Sequence, residues 1–244
     1  MDIIEDSPFQ ELIKFLREFI MEDPSTLLNT AESNQICKSL FAHSLQLIEA
    51  CGTLNAIGFH TSALSLFRQI DDSIDTFACC GVVSGSPAKW KQDKLRASDA
   101  AKKWIPVLED KLGRSEEFDS FSDYRKNLRS KFNKYSHCSV FLLNWNIKND
   151  NSDYFLNINP NQIEENAVVI DANLAFAHYE ALYLSRFVYK DFLDAHEELR
   201  NKFEKFFNQT YPIISDMEEN EYYNNLNFPP ELKDIKHDLE VIDS

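Results

Sequence analysis

The sequence predicts a mainly α fold, a helical bundle carrying one small inserted β-hairpin. Apolar residues recur at three- and four-residue steps through most of the chain, which is the period of a helix with one buried face. Only five glycines occur in 244 residues, too few for the turns and bulges of an all-β protein. Hydrophobic residues make up 43% of the chain, enough for a real core and too many for global disorder. A chain of this length forms one large domain or a helical core with appendages, read here as an N-terminal helix within 1–30, a helical domain over 31–210 and an acidic tail over 211–244.

The first helix spans about Phe9 to Met21, where Leu12, Ile13, Leu16, Phe19 and Ile20 share a stripe. Asp23-Pro24-Ser25 ends it. A second helix runs from about Asn34 to Ile57, with Gly58 as a joint, and a third from about Thr61 to Cys79 on the stripe Leu64, Phe67, Ile70, Ile74 and Phe77. Gly81 to Pro87 reads as a loop. Ser98 looks like the cap of the next helix, and Pro106 inside it implies a late start or a kink. A further helix covers about Asp119 to Ser136. The pattern then changes: the short aromatic and β-branched runs within 139–159, separated by Lys-Asn-Asp-Asn-Ser, predict the hairpin. From Asp171 a helical stripe continues to about Phe207 with no proline or glycine to stop it, and Pro229-Pro230 interrupts an acidic, Asn- and Tyr-rich tail from Asp216 suited to docking a partner.

Charge and motifs remove several functional classes. No apolar run approaches a membrane span, and the N-terminus is acidic where a secretory signal would be basic, so the expected location is cytoplasmic. Five cysteines, an odd number with one vicinal pair and no C-x-x-C spacing, fit neither a disulfide framework nor a zinc site; they read as reduced, buried thiols. His43, His60, His178 and His196 are isolated along the chain without an i, i+4 partner, so no metal is expected, and no cofactor motif is present. The net charge of −15 disfavours nucleic-acid binding over a broad surface. The charge is uneven, however: residues 86–134 carry 13 basic against 8 acidic side chains. Lys89, Lys91, Lys94, Arg96, Lys102 and Lys103, with Trp90 and Trp104 among them, mix cations and aromatics as single-strand RNA binders do. The alternative is a solvated segment whose tryptophans anchor in the core.

The candidate site lies in Arg129-Ser-Lys-Phe-Asn-Lys-Tyr-Ser-His137. On a helical wheel referenced to Phe121, residues Tyr124, Leu128, Phe132 and Tyr135 fall within about 60° and form the buried face. Arg129, Asn133 and His137 follow one turn apart at roughly 80°, 120° and 160°, along the edge of that face. Lys131 sits on the opposite flank, and Lys126 and Lys134 point outward. An imidazole at this position can take a proton from a ribose 2′-hydroxyl and return one to a leaving oxygen, while a guanidinium holds the phosphate. The competing reading makes His137 a C-terminal cap of the helix. On the third helix, Arg68 precedes Asp71, Asp72 and Asp75 by three, four and seven residues. That spacing fits either intrahelical ion pairs or a supporting half of the same site, with Arg68 and Asp72 as its members.

Lys131-Phe-Asn-Lys-Tyr-Ser-His137 resembles the signature helix of HEPN domains, an arginine followed six residues later by a histidine, with Lys131 standing where the arginine belongs. The order of a helix such as Ser62–Thr76, a basic tryptophan-containing loop and a tyrosine-rich helix ending in Ser-His also resembles uncharacterised bacterial HEPN-like proteins. The likeness covers about 35–205. It implies an all-α bundle, often a homodimer, and metal-independent endoribonuclease activity in toxin–antitoxin or phage-defence systems, or an interaction module that has lost it. The likeness nominates Lys131 beside His137, whereas the helical wheel groups Arg129 and Asn133 with it; the candidate set is therefore His137 with Lys131 or Arg129 on the phosphate and Asn133 orienting, and Lys126 and Lys134 against the RNA. Two function classes therefore stand, an RNA-binding endoribonuclease and a non-catalytic module that binds a protein from the same operon; a small-molecule or nucleotide sensor is a weaker third.

Overall fold

The structure is a computed structural model that describes residues 8–21, 31–112, 129–130, 132–133, 147–150, 153–156 and 164–219. Helix α1 (Pro8–Met21) begins with a proline, whose fixed φ suits the first helical position. It buries Phe9, Leu12, Ile13, Leu16, Phe19 and Ile20, the stripe expected of it. Helices α2 (Ala31–Ala56) and α3 (His60–Val82) form a hairpin. Its turn is built by Gly58 at φ 86°, with the Phe59 amide donating to Leu54 at 2.8 Å and the Gly58 amide to Asn55 at 3.0 Å. This 6→1 and 5→2 pair is a Schellman ending, which favours a residue without a Cβ.

α3 packs against α2, against the short α4 (Ser86–Lys91), against α5 (Ala97–Leu112) and against α6 (Glu164–Val188). Phe41 and Phe77 stack at 4.7 Å between α2 and α3, and the Ser44 hydroxyl donates to the Ser73 hydroxyl at 2.9 Å beside them. Asn55, at the end of α2, donates to the Asp171 carboxylate on α6 at 2.7 Å and lies 2.7 Å from His60 Nδ1. α7 (Lys190–Ala195) and α8 (Glu197–Glu219) follow, and α8 returns along α6 in the opposite direction, since Tyr179 meets Phe207 and Tyr211 while Arg186 reaches Glu204. The class is thus mainly α. Two four-residue strands, β1 (Ile147–Asp150) and β2 (Asp153–Leu156), pair antiparallel with Ile147 opposite Leu156.

Several expectations need correction. The helix expected from Asp171 to Phe207 is three helices, broken at Tyr189 (φ −100°, ψ 21°) and His196 (φ −124°, ψ 82°). The reason is tertiary: Tyr189 is drawn into the core, its ring 5.4 Å from Phe19 and 6.0 Å from Phe77, and the turn lets α8 fold back onto α1. Phe15 of α1 then lies 5.1 Å from Phe203 and 4.9 Å from Phe206 of α8. α8 also continues to Glu219, past the expected start of the tail, with Pro212 inside it. The loop expected from Gly81 to Pro87 shrinks, because α3 runs to Val82 and α4 starts at Ser86. Ser98 lies within the first turn of α5 rather than capping it, and Pro106 lies inside that helix.

Burial sets the chemistry of most titratable groups in the core. Cys37, Cys51, Cys79 and Cys80 are free, buried thiols, and burial raises all four; Cys80 is pushed up to about 12. They are held as thiols rather than thiolate nucleophiles. His178 of α6 donates from Nδ1 to the Leu174 carbonyl at 2.6 Å beneath the ring of Phe9, and burial lowers it to about 4.

Two predictions follow from this packing. A Cβ on Gly81 would overlap Cγ1 of Val188, a β-branched side chain on α6 with little freedom to move. Gly81→Ala should cost about 1–3 kcal/mol in urea unfolding despite its better helix propensity. His178 binds its proton readily only when unfolded, so between about pH 6.5 and 4 the unfolded state holds more protons and stability falls on acidification. The loss amounts to roughly 3 kcal/mol across that window. His178→Phe should flatten the acid limb of the stability curve, and an unchanged limb would show that His178 does not set it.

Candidate functional site

The helical wheel of α3 explains how this site forms. Taking the apolar stripe of Phe67, Ile70, Ile74 and Phe77 as the core direction, Asp71 and Asp75 lie at its margin, with Arg68 and then Asp72 further round. Exposure follows that order: Asp71 and Asp75 are 2% and 1% exposed, Arg68 15% and Asp72 30%. Two fully buried carboxylates in the middle of a helix need compensation, because a charge taken from water without a partner is very costly.

Arg129 supplies it. Its Nε lies 3.3 Å from Asp71 Oδ2, and its Nη2 donates to Asp75 Oδ2 and approaches Asp72 Oδ1 at 3.4 Å. Its Nη1 donates to the Ala97 carbonyl at 3.3 Å, in the first turn of α5. Arg68 completes the group from α3 itself, with Nη2 2.8 Å from Asp72 Oδ1 and Nη1 3.5 Å from Asp71 Oδ2. The second oxygen of Asp75 accepts the indole N–H of the buried Trp104 at 2.9 Å. Three elements are therefore tied at one point: α3, α5 and the helical turn bearing Arg129. Next to the ion cluster, Phe132 stacks on Phe67 at 5.4 Å, so the turn is pinned by a ring on one side and a guanidinium on the other.

Arg129, Arg68 and Asp72 are thus brought together. Asn133, one turn beyond Arg129, is exposed. Lys126, Lys131, Lys134 and His137 lie outside the described residues. Sequence reasoning placed Arg129 at the edge of the buried face but did not identify Asp71 and Asp75 as its partners. The available signal was their position beside the apolar stripe. It also left open which tryptophan is structural; the cluster holds Trp104.

The cluster contains three carboxylates and two guanidiniums, an excess of one negative charge. All three nitrogens of the Arg129 guanidinium are engaged, so in this arrangement its fork is not open to a phosphate. The neighbouring depression, lined by Phe67, Asp71, Phe132, Asn173 and Glu180, admits little more than a water molecule. A second buried polar group joins Asn55, His60 and Asp171 near Cys51, but the Cys51 thiol donates to the Ala63 carbonyl at 3.3 Å, not to a base. Among the described residues no group of His, Cys, Asp and Glu is arranged to hold a metal ion, and no helix is long and apolar enough to cross a membrane. No family model, curated protein or solved structure matches this chain.

Removing Arg129 would leave buried carboxylates without their main partner. Arg129→Ala should therefore destabilise the fold by about 3–5 kcal/mol in denaturant titrations. Arg129→Lys should recover only part of that, because an ammonium cannot reach three carboxylates and a carbonyl as a planar fork does. A loss below about 1 kcal/mol for Arg129→Ala, the level of an exposed pair, would contradict this role.

Proposed function

We propose that this chain is a HEPN-like helical protein that binds RNA and cleaves it without a metal ion, as a cytoplasmic homodimer in a defence or toxin–antitoxin setting. The reading takes 31–210 as the HEPN-like domain with the hairpin as its insert, preceded by an N-terminal helix and followed by an acidic tail for a partner protein. The observation that carries it is the meeting of the two segments on which the resemblance rests. The turn that precedes Lys131–His137 is bound through Arg129 to Asp71, Asp72 and Asp75 of α3.

That contact divides the work between the two cations left open by the sequence. Arg129, engaged by carboxylates, is a positioning residue that fixes the turn from which the segment to His137 leaves, and Arg68 and Asp72 support it. Lys131 holds the phosphate, Asn133 orients it, and Lys126 and Lys134 contact neighbouring phosphates. His137 takes the proton from the ribose 2′-hydroxyl; O2′ attacks phosphorus as the bond to the 5′-oxygen breaks, and the leaving oxygen is protonated. The products are a 2′,3′-cyclic phosphate and a 5′-hydroxyl.

One observation favours a second reading, an interaction module that has lost nuclease activity: the cluster has an excess of negative charge and spends its arginines on its own aspartates. The experiment that separates the two incubates wild type and His137→Ala with single-stranded and hairpin RNAs in EDTA. The nuclease reading expects cyclic-phosphate ends from the wild type and at least about a 100-fold loss in the variant. Equal cleavage by both proteins, or none by either, leaves the interaction module.

A further inference from the structure

We infer that α4 and the first turns of α5 form a landing surface for single-stranded RNA, with the indole of Trp90 as the platform on which a base stacks. The inference rests on the RNA-binding reading above and assigns that function a surface away from the ion cluster.

The first observation is how the two tryptophans separate. Trp104 is fully buried and its N–H is used by Asp75, whereas Trp90 is 38% exposed. α4 is anchored at its start by the buried Ser86 and Pro87, while Trp90 near its end keeps part of its ring in solvent. A large aromatic left at the surface between Lys89 and Lys91 offers a flat π-face bordered by cations, the combination that holds an unpaired base and its phosphates.

The second observation is charge. Residues 86–104 carry six basic side chains against Asp93 and Asp99, in a chain whose net charge is −15. Lys89, Lys94, Arg96 and Lys102 are exposed. At two of these positions the internal contact leaves the charge in place: Lys94 Nζ donates to the neutral Gln92 Oε1 at 2.9 Å, and the Lys102–Asp99 contact is long, at 3.9 Å, and solvated.

The third observation is rigidity. α4 ends with Asp93 at φ 55°, the Lys94 amide donating to Lys89 at 2.8 Å and the Asp93 amide to Trp90 at 2.9 Å. This is again a Schellman turn, here with an aspartate in the left-handed region that Asp tolerates. It fixes the backbone of Trp90 relative to that of Lys94, so the main chain has little order to gain on binding. The surface is also tethered to the proposed cleavage segment, since Arg129 holds the carbonyl of Ala97, the residue after Arg96. A strand lying on Trp90 and Arg96 is led towards the turn that bears Arg129 and Phe132. An acidic peptide would satisfy the lysines equally well but has no use for the indole, which is why the surface fits RNA.

The test measures anisotropy of a fluorescein-labelled 2′-O-methyl RNA 12-mer, which cannot be cleaved through its 2′-oxygens, on the full chain at low salt, with fluorescein-labelled polyglutamate as the competing probe. Trp90→Ala should weaken RNA binding about tenfold or more, with most of it recovered in Trp90→Phe. Lys89→Gln/Arg96→Gln should lower the slope of log affinity against log salt by about 1.4. Unchanged thermal unfolding of these surface variants confirms that the fold is intact. RNA bound equally well by wild type and all variants overturns the surface while leaving the RNA reading standing. Polyglutamate bound through Lys89 and Arg96 with no RNA binding replaces RNA by an acidic protein partner. Binding of neither probe overturns both.

Discussion

A pair of carboxylates buried in the middle of α3 is the constraint on which the rest of the arrangement depends. Asp71 and Asp75 sit at the margin of the apolar stripe and are nonetheless buried, and an uncompensated charge there would be incompatible with a stable fold. The compensation comes from 54 and 58 residues away in sequence, through one guanidinium. Because Arg129 also holds a carbonyl of α5, and Trp104 of α5 also holds Asp75, the charges fix the mutual placement of three elements. Hydrophobic contacts alone specify that helices pack, but a fork satisfied on three nitrogens specifies the register in which they pack.

That arrangement shapes the functional proposal. A guanidinium committed to carboxylates is a poor phosphate ligand but a good anchor, so positive charge for an anionic substrate has to come from elsewhere. The two are segregated: the ion cluster is acidic in excess, while Lys89, Lys91 and Lys102 of α4 and α5 stay exposed, as does the indole of Trp90. On the proposed reading, a chain of net charge −15 with a group of cations at α4 and the start of α5 would engage a short strand rather than a long duplex, because its overall charge opposes a polyanion.

Much of this was legible in the sequence, and the illegible part has identifiable causes. The stripes of α1 and α3 could be read because every residue on them is apolar and the period is clear; Phe132 falls on the buried face that the wheel assigned to it. The breaks at Tyr189 and His196 could not, since neither a proline nor a glycine marks them. They arise from Tyr189 entering the core between Phe19 and Phe77, a contact between distant segments. The wheel similarly placed Arg129 at the margin of the core and Asp71 and Asp75 at the margin of another helix. That these two margins face each other is tertiary information, which periodicity does not contain. Trp90 and Trp104 look equivalent as residue types in a basic stretch, yet only Trp104 is followed at four residues by a buried leucine on the same face.

The most direct test of the account is a double-mutant cycle between Asp75 and Arg129, using Asp75→Asn and Arg129→Gln so that shape and hydrogen-bonding capacity are largely kept. Unfolding free energies of wild type, both single variants and the double variant give the coupling between the two side chains. A clamp on which three elements depend predicts a coupling of about 2 kcal/mol or more, with the double variant more stable than the sum of single losses implies. A coupling below about 0.5 kcal/mol, as for two independent surface charges, would contradict it.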